Sequence, residues 1–276
     1  MLPKLGVLAG GGQLPVRVIA ACRTRGQPFF VIAFEGFTDP ATVEHTPHAW
    51  MPIEKVGAIL SRLHAEGVSE VVLAGPVRRP GSVLTLRPDA RGILLLLRML
   101  RRWRGDDHVL TQVVREIEAD GFRVVGAEDV APELLMPLGS IGSLLPNELC
   151  RWSIRVGVDA ARELGRQDRG QGVVVAGGDI VAREGAGGTM RLLAEAALNP
   201  AARGGVLVKI AKPGQERRVD LPSVGVETVA QAARAGLAGI ALEASGSLVI
   251  GRNAVAEAAD AAGLFVIGVD PAGSAP

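Results

Sequence analysis

Short apolar runs alternate with amphipathic stretches along most of the chain. Runs such as Leu5 to Ala9 and Glu70 to Ala74 are almost wholly apolar, which is typical of strands covered on both faces of a sheet. In the first half, the pattern predicts strands at 5–9, 28–34, 70–74 and 122–126, and helices at 13–24, 54–66, 90–104 and 109–119. Strands that alternate with helices predict an α/β fold, and we expect a Rossmann-like N-terminal domain.

A second alternating series follows a passage rich in Gly, Pro and Ser at residues 131–146, a composition typical of a linker. Beyond it, the pattern predicts strands at 172–176, 180–183, 206–210, 238–243 and 264–268, and helices at 148–164, 190–197, 226–235 and 253–262. We therefore predict an N-terminal domain over 1–137, a linker over 138–147 and a C-terminal α/β domain over 148–276.

Three consecutive glycines, Gly10, Gly11 and Gly12, separate the first strand from a helix that starts near Gln13. This arrangement lets backbone N–H groups approach an anion at a helix N-terminus, although a merely tight turn is an equal alternative. The spacing is not that of the dinucleotide-binding fingerprint, so a nicotinamide- or flavin-dependent enzyme is disfavoured. Ligands of open α/β sheets bind beyond the carboxyl ends of strands. We therefore expect Gly75 and the arginines after it, Arg78 and Arg79, to face the glycine loop, although a solvated surface turn is an equal alternative.

A dense polar run follows the apolar strand that opens at Val206. Four cations, Lys209, Lys212, Arg217 and Arg218, occur close to Asp220. Arginine and lysine neutralise phosphoryl oxygens, and a carboxylate can bind a metal ion or orient a water molecule. The run therefore suits phosphate chemistry, and a charged surface loop is the simpler alternative.

The helix predicted at 90–104 combines many large apolar residues with Arg91, Arg98 and Arg102 at helical spacing. An apolar face beside a basic stripe suits an anionic membrane surface, whereas a helix that covers a sheet would show a similar pattern.

Composition narrows the class of protein. Hydrophobic residues make up 48% of the chain and the formal net charge is +1, which argues against a nucleic-acid-binding protein. No apolar run reaches the ~20 residues that cross a bilayer, and the N-terminal residues lack the apolar core of a signal peptide. We therefore expect a cytoplasmic protein.

Several longer stretches make the chain resemble a known family. They are KLGVLAGGGQLP from Lys4, VVLAGPVRRP from Val71, VLVKIAKPGQERRVDLP from Val206 and AARAGLAGIALEA from Ala232. Together with GFRVVGAEDVAPELLMPLGSIG from Gly121 and DAAGLFVIG from Asp260, they resemble the metal-dependent UDP-2,3-diacylglucosamine pyrophosphatases of the lipid A pathway. The resemblance covers nearly the whole chain.

The resemblance implies hydrolysis of a UDP-linked diacyl sugar lipid at its α-phosphorus, which yields UMP and 2,3-diacylglucosamine 1-phosphate. It also implies a divalent cation, Mg²⁺ by preference, and an active site in the cleft between the two domains. Peripheral contact with the inner membrane and a homodimer are further expectations.

Roles for individual residues follow from the same resemblance. Asp220 is expected to bind the metal or to orient the attacking water, and Glu184 is the second candidate metal ligand. The expected substrate-binding residues are Gly10, Gly11, Gly12, Gln13, Gly75, Thr189, Lys209, Lys212, Gln215, Arg217 and Arg218.

One departure from the family affects these expectations. Where the family usually reads Glu-Gly-Thr-Asp, this chain reads Gly-Gly-Thr-Met, ending at Met190. If the family's aspartate only caps the following helix, Thr189 is expected to cap it here. If the aspartate is a metal ligand, this chain is expected to bind Mg²⁺ weakly, and Met190→Asp is expected to raise turnover at limiting metal. The departure at Met190 also leaves open a non-catalytic regulator that binds nucleotide or lipid on the same fold.

Overall fold

The computed structural model describes residues 2–77, 87–101 and 106–272, with the backbone alone for 98–101 and 106–108. The chain forms two compact units. The first comprises residues 1–132 together with Glu216–Asp220, and the second comprises 133–215 and 221–276. The sequence does not predict that five residues of the polar run join the first unit. The predicted limits of the linker stay a prediction.

A parallel sheet forms the centre of the first unit. Its order is β3-β2-β1-β4-β5, which matches the first five strands of the doubly wound order. The strands are β1 (Leu5–Ala9), β2 (Phe29–Phe34), β3 (His48–Met51), β4 (Glu70–Ala74) and β5 (Arg123–Val125). The helices are α1 (Leu14–Arg25), α2 (Pro40–Val43), α3 (Val56–Ala65), α4 (Ala90–Arg101), α5 (Asp106–Ala119) and α6 (Ala127–Val130). The predicted α/β class is confirmed.

The second unit contains a mixed sheet in the order β6-β13-β11-β9-β7-β8 and a small parallel sheet, β10-β12. Its strands are β6 (Gly139–Ser140), β7 (Gly172–Ala176), β8 (Asp179–Arg183), β9 (Val206–Lys209), β10 (Ser223–Val224), β11 (Gly239–Glu243), β12 (Leu248–Val249) and β13 (Phe265–Val269). Its helices are α7 (Glu148–Arg166), α8 (Gly188–Ala197), α9 (Val226–Arg234) and α10 (Arg252–Ala261).

Strand β9 is covered on both faces, as its apolar sequence predicts. Val206 and Val208 pack in one core with residues of α7, and Leu207 packs in the other with residues of α8, α9 and α10. Side chains alternate between the faces of a strand, so Lys209 lies on the same face as Leu207. The side chain of Lys209 is almost wholly buried there.

The passage predicted as a linker is packed into the second unit. Met136 is fully buried, and its backbone exchanges hydrogen bonds with Ser245 and Ser247. Strand β6 pairs antiparallel with β13, which places it at the edge of the mixed sheet. A two-residue strand in a Gly- and Ser-containing segment has no hydrophobic pattern that would reveal it.

Candidate active site

The glycine loop and the end of β4 lie against each other at the carboxyl edge of the first sheet. Gly10 N donates to Ala74 O at 2.8 Å, and Gly11 N donates to Pro76 O at 2.9 Å. Gly75 has a φ of +89°, and a Cβ there would collide with the carbonyl oxygen of Gly11. The expected proximity of the two loops is therefore present, and glycine at position 75 is required by it.

These backbone bonds restrict what the glycine loop can offer a ligand. The N–H groups of Gly10 and Gly11 already have protein acceptors. In the described part of the chain, the N–H groups of Gly12 and Gln13 donate to no backbone carbonyl. An anion at this edge would therefore meet the start of α1 rather than the first two glycines. Arg78 and Arg79, which were expected nearby, lie outside the described residues.

Arg218 anchors the segment Glu216–Asp220 to the first unit. Its Nη1 donates to Glu118 Oε1 on α5 at 2.6 Å and to Val124 O on β5 at 3.3 Å. Its Nε and Nη2 donate to the two carboxylate oxygens of Glu216, each at 2.8 Å. The side chain of Val219 packs on the apolar core of the same unit. Every nitrogen of the guanidinium therefore has a protein acceptor.

Asp220 is half-buried at the end of this segment. Its backbone N–H donates to Glu216 O at 3.1 Å, which continues the tight turn that Arg218 anchors. Its carboxylate accepts no hydrogen bond from any other described residue. A carboxylate in this state keeps its lone pairs for a cation or a water molecule.

Glu128 is a carboxyl group near this segment that the sequence analysis did not single out. It lies in α6, just after the carboxyl end of β5. Burial raises the pKa of Glu128, the neighbouring charge of Asp129 adds to the rise, and the charge of Arg217 opposes it. The sequence offered one signal for Glu128: it lies three residues after an apolar strand, and ligands of open α/β sheets bind beyond the carboxyl ends of strands.

The predicted lysines belong to the second unit and contact protein acceptors there. Lys209 Nζ donates to Ser223 O at 3.2 Å. Lys212 Nζ lies 3.0 Å from Asp168 Oδ1, and its backbone N–H donates to Gln215 Oε1 at 3.0 Å. Gln215 is buried, and among the described residues its Nε2 has no acceptor. Because an unpaired buried donor is costly, this amide is suited to an oxygen of a bound ligand.

Glu184 and Thr189 bond to each other in the second unit. Glu184 is buried, and its Oε1 accepts from the Thr189 hydroxyl at 2.7 Å. Its Oε2 accepts from the backbone N–H of Gln171 at 2.8 Å. Both carboxylate oxygens therefore stabilise the loops around β7 and β8, and the metal-binding role of Glu184 stays a prediction.

The expectation that Thr189 caps α8 is wrong. The helix begins at Gly188, and its N-cap residue is Gly187, which has no side chain to cap the helix. Thr189 lies inside the first turn, and its hydroxyl donates to Glu184 instead. Met190 follows in the same turn and is 44% exposed.

The described carboxylates could bind Mg²⁺ only together with water molecules and substrate phosphates. Within residues 2–77, 87–101 and 106–272, no group of three or more His, Cys, Asp and Glu side chains is placed to bind a metal ion. Mg²⁺ usually keeps several water ligands and binds through one or two carboxylates together with substrate phosphates. Asp220, whose carboxylate has no described partner, fits that type of site. The described residues do not form a cage built wholly of protein ligands.

Comparison with solved structures gives weak likenesses only. The chain is 16% identical to the biotin carboxylase subunit of pyruvate carboxylase, with a TM-score of 0.27 over 63% of its length. It is 15% identical to the biotin carboxylase domain of 2-oxoglutarate carboxylase from Hydrogenobacter thermophilus, with a TM-score of 0.29 over 65% of this chain. The chain spans only 35% and 36% of their lengths. TM-scores this low support no argument.

Comparison of sequences is far more specific. The chain is 45% identical, over 97% of its length, to the UDP-2,3-diacylglucosamine pyrophosphatase LpxI of Caulobacter vibrioides, and it covers 98% of that protein. Family models match both units: the LpxI N-terminal domain over residues 4–134 and the LpxI C-terminal domain over residues 137–267. The chain therefore belongs to the LpxI family.

Proposed function

We propose that this protein hydrolyses UDP-2,3-diacylglucosamine at the α-phosphorus and releases UMP and 2,3-diacylglucosamine 1-phosphate. The observation that carries the proposal is the 45% identity, over 97% of the chain, to a relative named for this pyrophosphatase activity. The carboxylate of Asp220, which accepts no hydrogen bond from a described residue, is the proposed catalytic group.

In the proposed reaction, the oxygen of a water molecule forms a bond to the α-phosphorus. The bond between that phosphorus and the oxygen that bridges to the β-phosphorus breaks, so the bridging oxygen leaves with the sugar phosphate. Asp220 orients the water or accepts its proton, since its carboxylate oxygens have no described protein donor. The new oxygen therefore remains on UMP.

Asp220 is also the first choice for a ligand of Mg²⁺, with Glu184 second because both its oxygens already accept hydrogen bonds. A bound Mg²⁺ would neutralise charge on the diphosphate. Arg217, Lys209 and Lys212 supply further positive charge for the phosphoryl oxygens. Gln215 Nε2, which has no acceptor among the residues that the structure describes, supplies a neutral hydrogen-bond donor.

A lipid substrate requires contact with a membrane, and we assign this contact to α4. Ile93, Leu94 and Leu97 of this helix are about half exposed. Arg91, which was expected in the basic stripe, instead pairs with Asp120, while Arg98 and Arg102 have no described side chain. In the described residues, no helix is long and apolar enough to cross a bilayer. We therefore propose peripheral contact with the cytoplasmic face of the inner membrane.

Product analysis tests the proposed function. Purified protein is incubated with UDP-2,3-diacylglucosamine and Mg²⁺, and the nucleotide products are separated by chromatography. We expect UMP and no UDP, with one diacyl sugar phosphate formed per UMP. Tight binding of the substrate without turnover would favour the non-catalytic regulator instead. The expectation of a homodimer stays a prediction, which sedimentation velocity of the same sample would test.

A further inference from the structure

The segment Glu216–Asp220 has an unusual position in the chain. Gln215 before it and Leu221 after it both belong to the second unit, whereas the five residues between them belong to the first. Covalent connection alone would not keep the segment with the first unit. Specific contacts must therefore supply the attachment, and they are made by Arg218 and Val219.

The contacts of Arg218 are directional. Glu216 binds the guanidinium through two parallel hydrogen bonds of 2.8 Å, a geometry that fixes the plane of the group. With the plane fixed, Nη1 reaches Glu118 Oε1 on α5 and Val124 O on the edge strand β5. One side chain thus joins the segment to a helix and a strand of the first unit.

The charges around Arg218 oppose a role in binding phosphate. Arg218 pairs with two carboxylates, Glu118 and Glu216, so these three side chains together have a net charge of −1 when all are ionised. A net negative cluster repels a diphosphate rather than attracting it. Four of the five N–H groups of the Arg218 guanidinium already donate to protein acceptors.

We propose that Arg218, Glu216 and Glu118 are positioning residues, which attach Asp220 and Arg217 to the first unit and make no contact with substrate. The proposal rests on the proposed function for its catalytic consequence. Its structural content, that Arg218 and Glu118 keep the segment in place, does not depend on any activity. It replaces the sequence-based role of Arg218 as a ligand of the phosphoryl groups.

Hydrogen–deuterium exchange tests the structural content. The amides of Val219 and Asp220 both donate to Glu216 O and report directly on the segment. We expect Arg218→Ala and Glu118→Ala each to speed exchange of these amides by about tenfold, with exchange in β9 unchanged. If an alanine variant fails to fold, the same exchange rates are measured in the milder variant Glu118→Gln. A matched control is Glu163→Ala, which removes a surface pair with Arg166. Exchange at Val219 and Asp220 that stays at the wild-type rate would overturn the proposal.

Kinetics of the same variants test the catalytic consequence. We expect Glu118→Ala to lower kcat by about tenfold with KM changed less than about twofold, and the double variant with Arg218→Ala to be little worse than Arg218→Ala alone. Raised KM with normal kcat in Arg218→Ala, and no effect of Glu118→Ala, would show that Arg218 binds substrate. A wild type without turnover, together with faster exchange in the variants, would refute the proposed function and leave the attachment established.

Discussion

Arg218 Nη1 lies 2.6 Å from Glu118 Oε1, and this contact joins residues 100 positions apart in the sequence. The polar run at residues 209–220 belongs partly to the second unit and partly to the first. Lys209, Lys212 and Gln215 remain in the second unit, while Arg217, Arg218 and Asp220 belong to the first. The charged residues of this run therefore differ in their contacts. Arg218 anchors the chain to the first unit, whereas the carboxylate of Asp220 has no described partner.

Replacement of Asp220 by alanine should abolish most activity without unfolding the protein. We expect kcat to fall by ~10²-fold or more, because the reaction loses the group proposed to orient water or to bind the metal. The melting temperature should change little, since the carboxylate accepts no hydrogen bond from a described residue. Asp159→Ala, which removes an exposed carboxylate on α7, is the control. Near-normal turnover would remove Asp220 from the mechanism.

The pair of Glu216 and Arg218 should make stability depend on pH in the acid range. The hydrogen bond from Arg218 lowers the pKa of Glu216, against a smaller opposing effect of burial. Because the folded-state pKa lies below the unfolded value of about 4.3, the stabilisation is complete above that value. It is lost as the pH falls through the lower folded-state pKa. The difference in melting temperature between wild type and Arg218→Ala should therefore shrink from pH 7 to pH ~3. An equal difference at both pH values would contradict this.

Met190→Asp should affect stability more than rate. Residue 190 lies in the first turn of α8, where an acidic side chain interacts favourably with unpaired backbone N–H groups. We expect a gain of about 0.5 kcal/mol in the free energy of unfolding, and turnover within about twofold of wild type at every Mg²⁺ concentration. Titration of Mg²⁺ with both proteins measures the second quantity. A wild type inactive throughout, with activity restored by the aspartate, would favour the non-catalytic regulator.

The exposed residues of α4 should contribute to membrane binding. Replacement of Ile93 and Leu97 by serine removes two half-exposed apolar side chains, and we expect affinity for vesicles of phosphatidylethanolamine and phosphatidylglycerol to fall by about tenfold. Leu198→Ser is the matched control, because Leu198 is 86% exposed in a loop after α8. Vesicle co-sedimentation measures the affinity. Equal loss in both proteins would return α4 to a purely structural role.

The hydrophobic pattern predicted most of the fold because most strands are buried on both faces. Leu5 to Ala9 is apolar and fully buried, and its predicted limits match β1. The pattern missed β3, where exposed and half-buried residues alternate, and the two-residue strands β10 and β12, which are too short for any periodicity. It did identify the α/β class of both units.

The candidate site was less accessible from the sequence. Composition identified the cations of the polar run, but it could not indicate that Arg218 contacts Glu118 or that Lys212 contacts Asp168, since folding brings these partners together. The same limitation applies to Gly10 and Gly11, whose N–H groups bond to residues around position 75. Partners that are distant in sequence decide which polar groups remain for a ligand.

Hydrolysis in ¹⁸O-labelled water tests the central claim most directly. The protein is incubated with UDP-2,3-diacylglucosamine and Mg²⁺ in labelled water, with a parallel sample in excess EDTA, and both products are analysed by mass spectrometry. Attack of water at the α-phosphorus predicts one labelled oxygen in UMP, none in the diacylglucosamine 1-phosphate, and no products with EDTA. Label in the sugar phosphate would place the attack on the β-phosphorus and contradict the mechanism, and absence of UMP at every Mg²⁺ concentration would contradict the proposed function itself.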